Sequence, residues 1–91
     1  MAVLHLPEIL THAQAGQCRS QLLQAMRATQ DRVLLLDASG LRQFDSSALA
    51  VLLSCRREAL ALSRQLQLQG LPERLRELAS LYGVQTWLQQ A

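Results

Sequence analysis

The positions of apolar residues along the chain predict three strands that alternate with three helices. Residues 2–6 are predicted to form a short strand that Pro7 ends. The continuous apolar run Val33–Asp37 is typical of a central parallel strand that is covered on both faces. In Gln65–Gln69 glutamine alternates with leucine, as expected of a strand with one solvated face, and Gly70 ends it. The order of these elements favours an α/β layer with right-handed crossovers.

Helices are predicted where apolar residues recur at steps of three and four. The first spans residues 11–28 and places on one face Ala15, Cys18, Leu22, Ala25 and Thr29. The second spans residues 46–63, with an inner face made of Ala48, Leu52, Cys55, Ala59 and Leu62. The third starts at Pro72, a residue suited to a first helical turn, and stops at Gly83. Its apolar stripe is Leu71, Leu75, Leu78 and Tyr82.

The second helix carries more apolar surface than one core-facing stripe needs. The additional apolar residues are Leu49, Leu53 and Leu60 beside the inner face, and Ala50 near the outer side. Either these residues widen the contact with neighbouring helices of the same domain, or they meet another protein. Arg56, Arg57 and Arg64 on the same helix fit a solvated face or the polar rim of such an interface.

The composition excludes several classes of function. Ninety-one residues make one domain, residues 1–91, whose core must be aliphatic because only 3% of the residues are aromatic. The net charge of +2 comes from dispersed arginines without a basic cluster, which argues against nucleic-acid binding. The start of the chain lacks a basic segment and a long apolar core, and no apolar run approaches the ~20 residues of a membrane span. We expect a cytoplasmic protein that does not insert into the membrane.

Few residues offer catalytic or metal chemistry. Cys18 and Cys55 fall on apolar helical positions, where a reduced cysteine packs as a small core residue. His5 and His12 have no cysteine or histidine at ligand spacing and no evident acidic partner. The chain contains no glycine-rich phosphate loop and no nucleophile elbow. The sequence therefore indicates a protein that is not an enzyme and that has no cofactor and no metal site.

The most informative segment is Asp45-Ser46-Ser47, which joins a short loop to the second helix. Unpaired backbone N–H groups and the positive end of the helix dipole meet at such a position. Ser46 has three interpretations: as the cap of the helix, as a residue that contacts a partner, or as a phosphoacceptor. Asp45 either caps the helix and fixes the loop or contacts the partner directly, and Ser47 is the weaker hydroxyl candidate. Asp37, at the end of a central strand, either organises the next turn or faces a ligand.

These segments resemble the STAS domain, the fold of anti-sigma factor antagonists and of small subunits of lipid transporters. Its signature, an apolar strand followed by Asp-Ser-Ser/Thr-Gly-Leu, is matched by Phe44-Asp45-Ser46-Ser47-Ala48-Leu49, with alanine in place of glycine. The similarity continues through residues 66–71 and 78–84. The N-terminal third departs from the pattern, because Pro7-Glu8-Ile9-Leu10-Thr11 stands where the family has a Gly-Glu-Leu turn, and an earlier strand is missing. The resemblance implies a small, mostly parallel mixed sheet with helices packed on it.

Two functions follow from the resemblance. The C-terminal segment, the short N-terminus and Ala48 are most similar to the MlaB-like STAS subunit, which binds the ATPase of an ABC-type phospholipid transporter at the inner membrane. The order Asp45-Ser46 is closer to the anti-sigma factor antagonists, which are released from their kinase by phosphorylation of a serine that corresponds to Ser46. The transporter subunit is the preferred hypothesis. Trp87 is expected either to cover the core or to anchor another chain. The expected partner-binding residues are Asp45, Ser46, Ser47, Leu49, Ala50, Leu53 and Arg57.

Overall fold

A computed structural model of the chain describes residues 1–83. Along these residues the strands and helices follow one another in the order β1 (Ala2–His5), β2 (Ile9–Leu10), α1 (His12–Ala28), β3 (Val33–Asp37), β4 (Gln43–Phe44), α2 (Ser47–Ala61), β5 (Gln65–Gln69) and α3 (Glu73–Leu81). All predicted strands and helices are present, with ends that shift by one or two residues. No helix in this part of the chain has the length and apolar character that crossing a membrane would require.

The described strands form two sheets in which every pair is parallel. The larger sheet has the order β1-β3-β5, so β3 is central, as its apolar run predicts. The smaller sheet pairs β2 with β4 and was not predicted, since two residues are too few to show a periodicity. Because α1 connects β1 to β3 and α2 connects β3 to β5, this arrangement confirms the α/β fold.

The core lies between one face of the larger sheet and the helices. Leu34 and Leu36 of β3 are fully buried on that face, whereas Val33 and Leu35 on the other face stay partly exposed. The sequence-based expectation that β3 is covered on both faces is therefore wrong. The crossovers β1-α1-β3 and β3-α2-β5 proceed in the same direction across the sheet, and right-handed crossovers of this kind place both helices on the same side.

The buried faces of the helices differ in part from the predicted apolar stripes. In α1 the buried residues include Leu23 and Met26, both outside the predicted stripe, because this helix packs against the sheet and α2 together. In α2 the predicted inner face is correct, and Val51 joins it. In α3 Leu75 is buried as predicted, but Tyr82 is 63% exposed because it follows the last helical turn and so leaves the stripe.

Polar contacts join the two central helices along their length. The Arg27 guanidinium of α1 donates two hydrogen bonds to the Glu58 carboxylate of α2, at 2.8 and 3.0 Å. Nearer the N-terminus of each helix, the Arg19 Nε donates to the Ser54 Oγ at 3.1 Å. The contact with Arg27 lowers the pKa of Glu58, first through the side-chain hydrogen bond and then through the opposite charge, against an opposing effect of desolvation.

Candidate functional site

The small β2-β4 sheet places the starts of two helices next to each other. Leu10 of β2 lies opposite Phe44 of β4 in a parallel pair. The chain enters α1 directly after Leu10, through Thr11, and enters α2 after Phe44, through Asp45 and Ser46. Two helix N-termini, each with unpaired backbone N–H groups, therefore meet at the carboxyl end of the larger sheet.

The Asp45 carboxylate bridges these two N-termini. Its Oδ1 accepts a hydrogen bond of 2.8 Å from the backbone N–H of Ser47 in α2, and its Oδ2 accepts one of 3.1 Å from the N–H of His12 in α1. These interactions lower the pKa of Asp45, the bond from Ser47 having the largest effect and desolvation opposing it. The interpretation of Asp45 as the residue that caps the helix and fixes the loop is confirmed.

Ser46 is exposed and does not cap α2. Its side chain makes no capping hydrogen bond, and within residues 1–83 its hydroxyl has no hydrogen-bond partner. The interpretation of Ser46 as the cap is wrong, because its backbone is already helical and the N–H groups of Ala48 and Leu49, which a capping hydroxyl would need, donate to the backbone carbonyls of Asp45 and Ser46. The hydroxyl thus remains available at the surface, beside a carboxylate and at the positive end of a helix. Ser47 is half-buried and contributes its backbone N–H to the loop.

A second turn at the same end of the sheet is also organised by an aspartate. Asp37 accepts a hydrogen bond of 3.0 Å from the N–H of Ser39 through Oδ1, which confirms that it organises the turn after β3. The bond from the Ser39 backbone is the main reason why the pKa of Asp37 is lowered. Its Oδ2 lies 3.6 Å from Nδ1 of His5, so His5 does have an acidic neighbour, contrary to the expectation from sequence. Gly70 packs directly on Ser39 from the turn after β5.

One face of α2 points away from the sheet and stays accessible. The residues of this face, called the α2 outer stripe below, are Ser46, Ala50, Leu53, Arg57 and Leu60. They recur at steps of four and three, which places them in one line on a helix. Leu53 is half-buried, whereas Leu60 is 64% exposed. The stripe combines a hydroxyl, small and large apolar groups, and one positive charge.

The structure therefore brings together some of the predicted contact residues and separates others. Ser46, Ala50, Leu53 and Arg57 share the α2 outer stripe. Leu49 does not, because its side chain is only 4% exposed and belongs to the core, which corrects its assignment as a contact residue. Leu60 extends the stripe and could have been found from its spacing to Arg57. Trp87 lies outside the described residues.

The part of the chain that the structure describes offers no chemistry of its own at this site. No group of three or more His, Cys, Asp or Glu in residues 1–83 could hold a metal ion. Cys18 and Cys55 are free and buried, as predicted. Burial raises the pKa of both thiols, that of Cys55 to about 12, so they stay protonated and weakly nucleophilic at neutral pH. What remains is a rigid loop and an exposed helix face, an arrangement suited to binding.

Comparison with protein families agrees with this architecture. Residues 1–90 match the family model described as "Mlab, STAS domain". The chain belongs to the MlaB-type STAS family. The match includes the N-terminal third, where the sequence departs most from the general STAS pattern. No curated protein matches the chain significantly.

Proposed function

We propose that this protein is a non-catalytic STAS subunit that binds the ATPase of an ABC-type phospholipid transporter. In this role it supports the assembly and activity of the transporter, and thereby the lipid asymmetry of the outer membrane. It acts on the cytoplasmic side, held at the inner membrane by its partner. Membership of the MlaB-type family supports the proposal, and the α2 outer stripe carries it.

The α2 outer stripe has the composition of a protein-binding surface. Leu60 and Leu53 supply apolar area, Ala50 allows close approach of another backbone, and Arg57 supplies a polar rim. Ser46 ends the stripe at the helix N-terminus, where its unpaired hydroxyl is free to bond to a partner. Asp45 keeps this end of the stripe rigid, so little conformational entropy is lost on binding.

Ser46 also supports a second candidate, an anti-sigma factor antagonist regulated by phosphorylation at this residue. Its hydroxyl is exposed and without a hydrogen bond in residues 1–83, so a kinase could reach it. A phosphoryl group would gain from the helix N-terminus but would be repelled by the adjacent Asp45 carboxylate, whose lowered pKa keeps it charged. Under this alternative the partner is a kinase-type anti-sigma factor instead of an ATPase.

The proposal is tested by titrating the purified protein with the transporter ATPase in a calorimeter. Leu60→Asp and Ser46→Arg should each weaken binding by at least ~30-fold, about 2 kcal/mol, because they place a charge against a desolvated surface. The matched control is Leu81→Asp, which changes an exposed leucine on α3, outside the stripe.

Three outcomes separate the possibilities. Loss of binding in Leu60→Asp and Ser46→Arg, with the affinity of Leu81→Asp unchanged, supports the proposed surface. Equal affinity in all three variants places the interface elsewhere. If the wild-type protein ignores the ATPase but forms a nucleotide-dependent complex with an anti-sigma kinase, and is phosphorylated on Ser46, the second candidate replaces the first.

A further inference from the structure

A groove of about 630 Å³ lies beside the β1 edge of the sheet, between this strand and α1. It is distinct from the α2 outer stripe, since its lining residues belong to β1, the turn that follows it, β2 and α1, and none belongs to α2. Leu4, Leu6 and Leu22 contribute apolar side chains, and Gln14, Gln17 and Gln21 contribute polar ones. Its position beside the edge of a strand is that of a site for a further extended segment.

The outer edge of β1 has backbone groups available for pairing. Among residues 1–83, β1 pairs only with β3. The N–H of Leu6 donates to the carbonyl of Asp37 in this pairing. This bond determines which residues of β1 direct their backbone groups toward β3. Because backbone groups of successive residues in a strand point to opposite sides, Leu4 and Leu6 face β3, whereas Val3 and His5 direct their N–H and C=O groups to the open edge. Natural proteins protect such edges with charged residues or proline, and neither occurs within β1.

The groove differs in charge from the rest of the surface. None of the residues that line it is Asp, Glu, Lys or Arg, although these make up 18% of the chain. An acidic or basic peptide would find no complementary group here. Two copies of the same uncharged surface, in contrast, can approach each other without repulsion between like charges. Val3, 48% exposed, adds apolar area on the same edge.

We propose that the β1 edge binds a second copy of this chain, so that two β1 strands pair antiparallel across a two-fold axis. With Leu4 on the axis, the outward-facing Val3 of one copy lies opposite His5 of the second copy, and each such pair exchanges two backbone hydrogen bonds. The two larger sheets then form one continuous sheet with the strand order β5-β3-β1-β1-β3-β5. The α1 helices lie side by side over the junction, with Gln17 and Gln21 between them.

The size of the groove predicts a weak dimer. Twelve residues line it, compared with the roughly 20–30 residues per partner of a standard stable interface. We therefore expect a dissociation constant in the range of about 10–500 μM, comparable to small transient interfaces. The dimer forms at high local concentration and leaves the α2 outer stripe of each copy accessible.

Sedimentation velocity of the full chain over a concentration series tests this proposal. Val3→Pro removes an N–H that points away from β3, so it should leave the fold intact and abolish pairing. Gln21→Arg places like charges opposite each other between the α1 helices and should raise the dissociation constant at least ~10-fold. The matched control is Gln24→Arg, the same change at an exposed α1 position that does not line the groove. Circular dichroism verifies that each variant is folded.

The proposal is supported if the wild type and Gln24→Arg dimerise with rising concentration while Val3→Pro and Gln21→Arg stay monomeric. A wild type that remains monomeric up to about 500 μM overturns it, whether the groove is filled by another protein or by residues 84–91 of the same chain. Dimers that persist in folded Val3→Pro and in Gln21→Arg overturn it as well, because they form through a different surface.

Discussion

At the scale of single residues, the loop before α2 divides its tasks between adjacent side chains. The Asp45 carboxylate accepts backbone hydrogen bonds from both helix N-termini, whereas the Ser46 hydroxyl bonds to nothing in residues 1–83. Removing a surface hydroxyl that has no hydrogen-bond partner does not lower the stability of the fold. Such a hydroxyl is therefore available for contact with another molecule. Under the proposed function, stability and partner recognition thereby depend on different side chains of this loop.

This division predicts opposite effects of two alanine substitutions. Ser46→Ala should change the free energy of unfolding by less than about 0.5 kcal/mol, since no hydrogen bond is lost. Asp45→Ala should lower the melting temperature clearly, because the N–H groups of His12 and Ser47 lose their acceptor. Chemical denaturation of both variants measures the difference. A larger loss for Ser46→Ala than for Asp45→Ala would contradict the assignment of the cap.

Gly70 is a second residue whose role follows from its surroundings. Its φ of +70° is in the left-handed region, and an added Cβ would lie 2.8 Å from Cβ of Ser39 and 2.9 Å from its backbone nitrogen. Gly70→Ala should therefore destabilise the protein by at least ~2 kcal/mol, from backbone strain and a clash with the turn after β3. Gly83→Ala is the matched control, since Gly83 has a φ of +74° but no atom of residues 1–83 lies within 4 Å of the added Cβ. Gly83→Ala should lower the free energy of unfolding by only about 1 kcal/mol. Equal losses in thermal or denaturant unfolding would mean that the contact with Ser39 is unimportant.

At the scale of secondary-structure elements, the C-terminal end of α2 contains a residue in a strained backbone conformation. The N–H of Ser63 donates to the carbonyl of Leu60 and the N–H of Arg64 donates to that of Ala59, the two bonds of a Schellman motif. Such a motif needs a left-handed residue directly after the C-cap, and Ser63 has this conformation, with a φ of 56°. Glycine would adopt it without strain.

Ser63→Gly should accordingly stabilise the protein by about 0.5–1 kcal/mol, even after the greater entropy of glycine in the unfolded chain is included. The control is Ser80→Gly, at an exposed position inside α3, which should cost roughly 0.5 kcal/mol because glycine is a poor helix former. Urea unfolding shows whether each variant is more or less stable than the wild type. A loss of stability in Ser63→Gly would show that its side chain has a stabilising contact that outweighs the strain.

At the scale of the whole molecule, three carboxylates stabilise the turns and helix contacts of the fold. Asp37 holds the turn after β3, Asp45 joins the starts of α1 and α2, and Glu58 binds Arg27 between these helices. All three have a lowered pKa in the folded protein. Each therefore binds protons less readily when folded than when unfolded.

The sign of the resulting pH dependence is fixed by these shifts. A carboxylate whose pKa is lowered by folding stabilises the protein above its unfolded pKa, about 3.9 for Asp and 4.3 for Glu, and this contribution is lost as the pH falls through the folded value. The free energy of unfolding should be constant near neutral pH and decline below about pH 4.5. Glu58→Gln should be less stable at pH 7 and should lose less stability on acidification. Urea unfolding between pH 7 and pH 3 tests this, and parallel pH profiles of Glu58→Gln and the wild type would contradict it.

The sequence by itself determined the elements and their order. Apolar periodicity is a local property, so it located β1, β3, β5 and the three helices to within two residues, and it placed Cys18 and Cys55 in the core. The aspartate-led loop before α2 was also visible, because caps and tight turns depend on adjacent residues. From these observations and the STAS resemblance, the α/β fold and the family could be predicted.

Only the tertiary structure decided how the elements meet. The hydrogen bond from the His12 N–H to Asp45 joins residues 33 positions apart in the chain, and no local sequence pattern in either segment predicts it. The burial of Leu49, the exposure of Leu60 and the open edge of β1 likewise depend on which elements lie next to them. An apolar residue shows that a side chain favours burial, but which side chains find a neighbour is set by the packing of segments far apart in sequence.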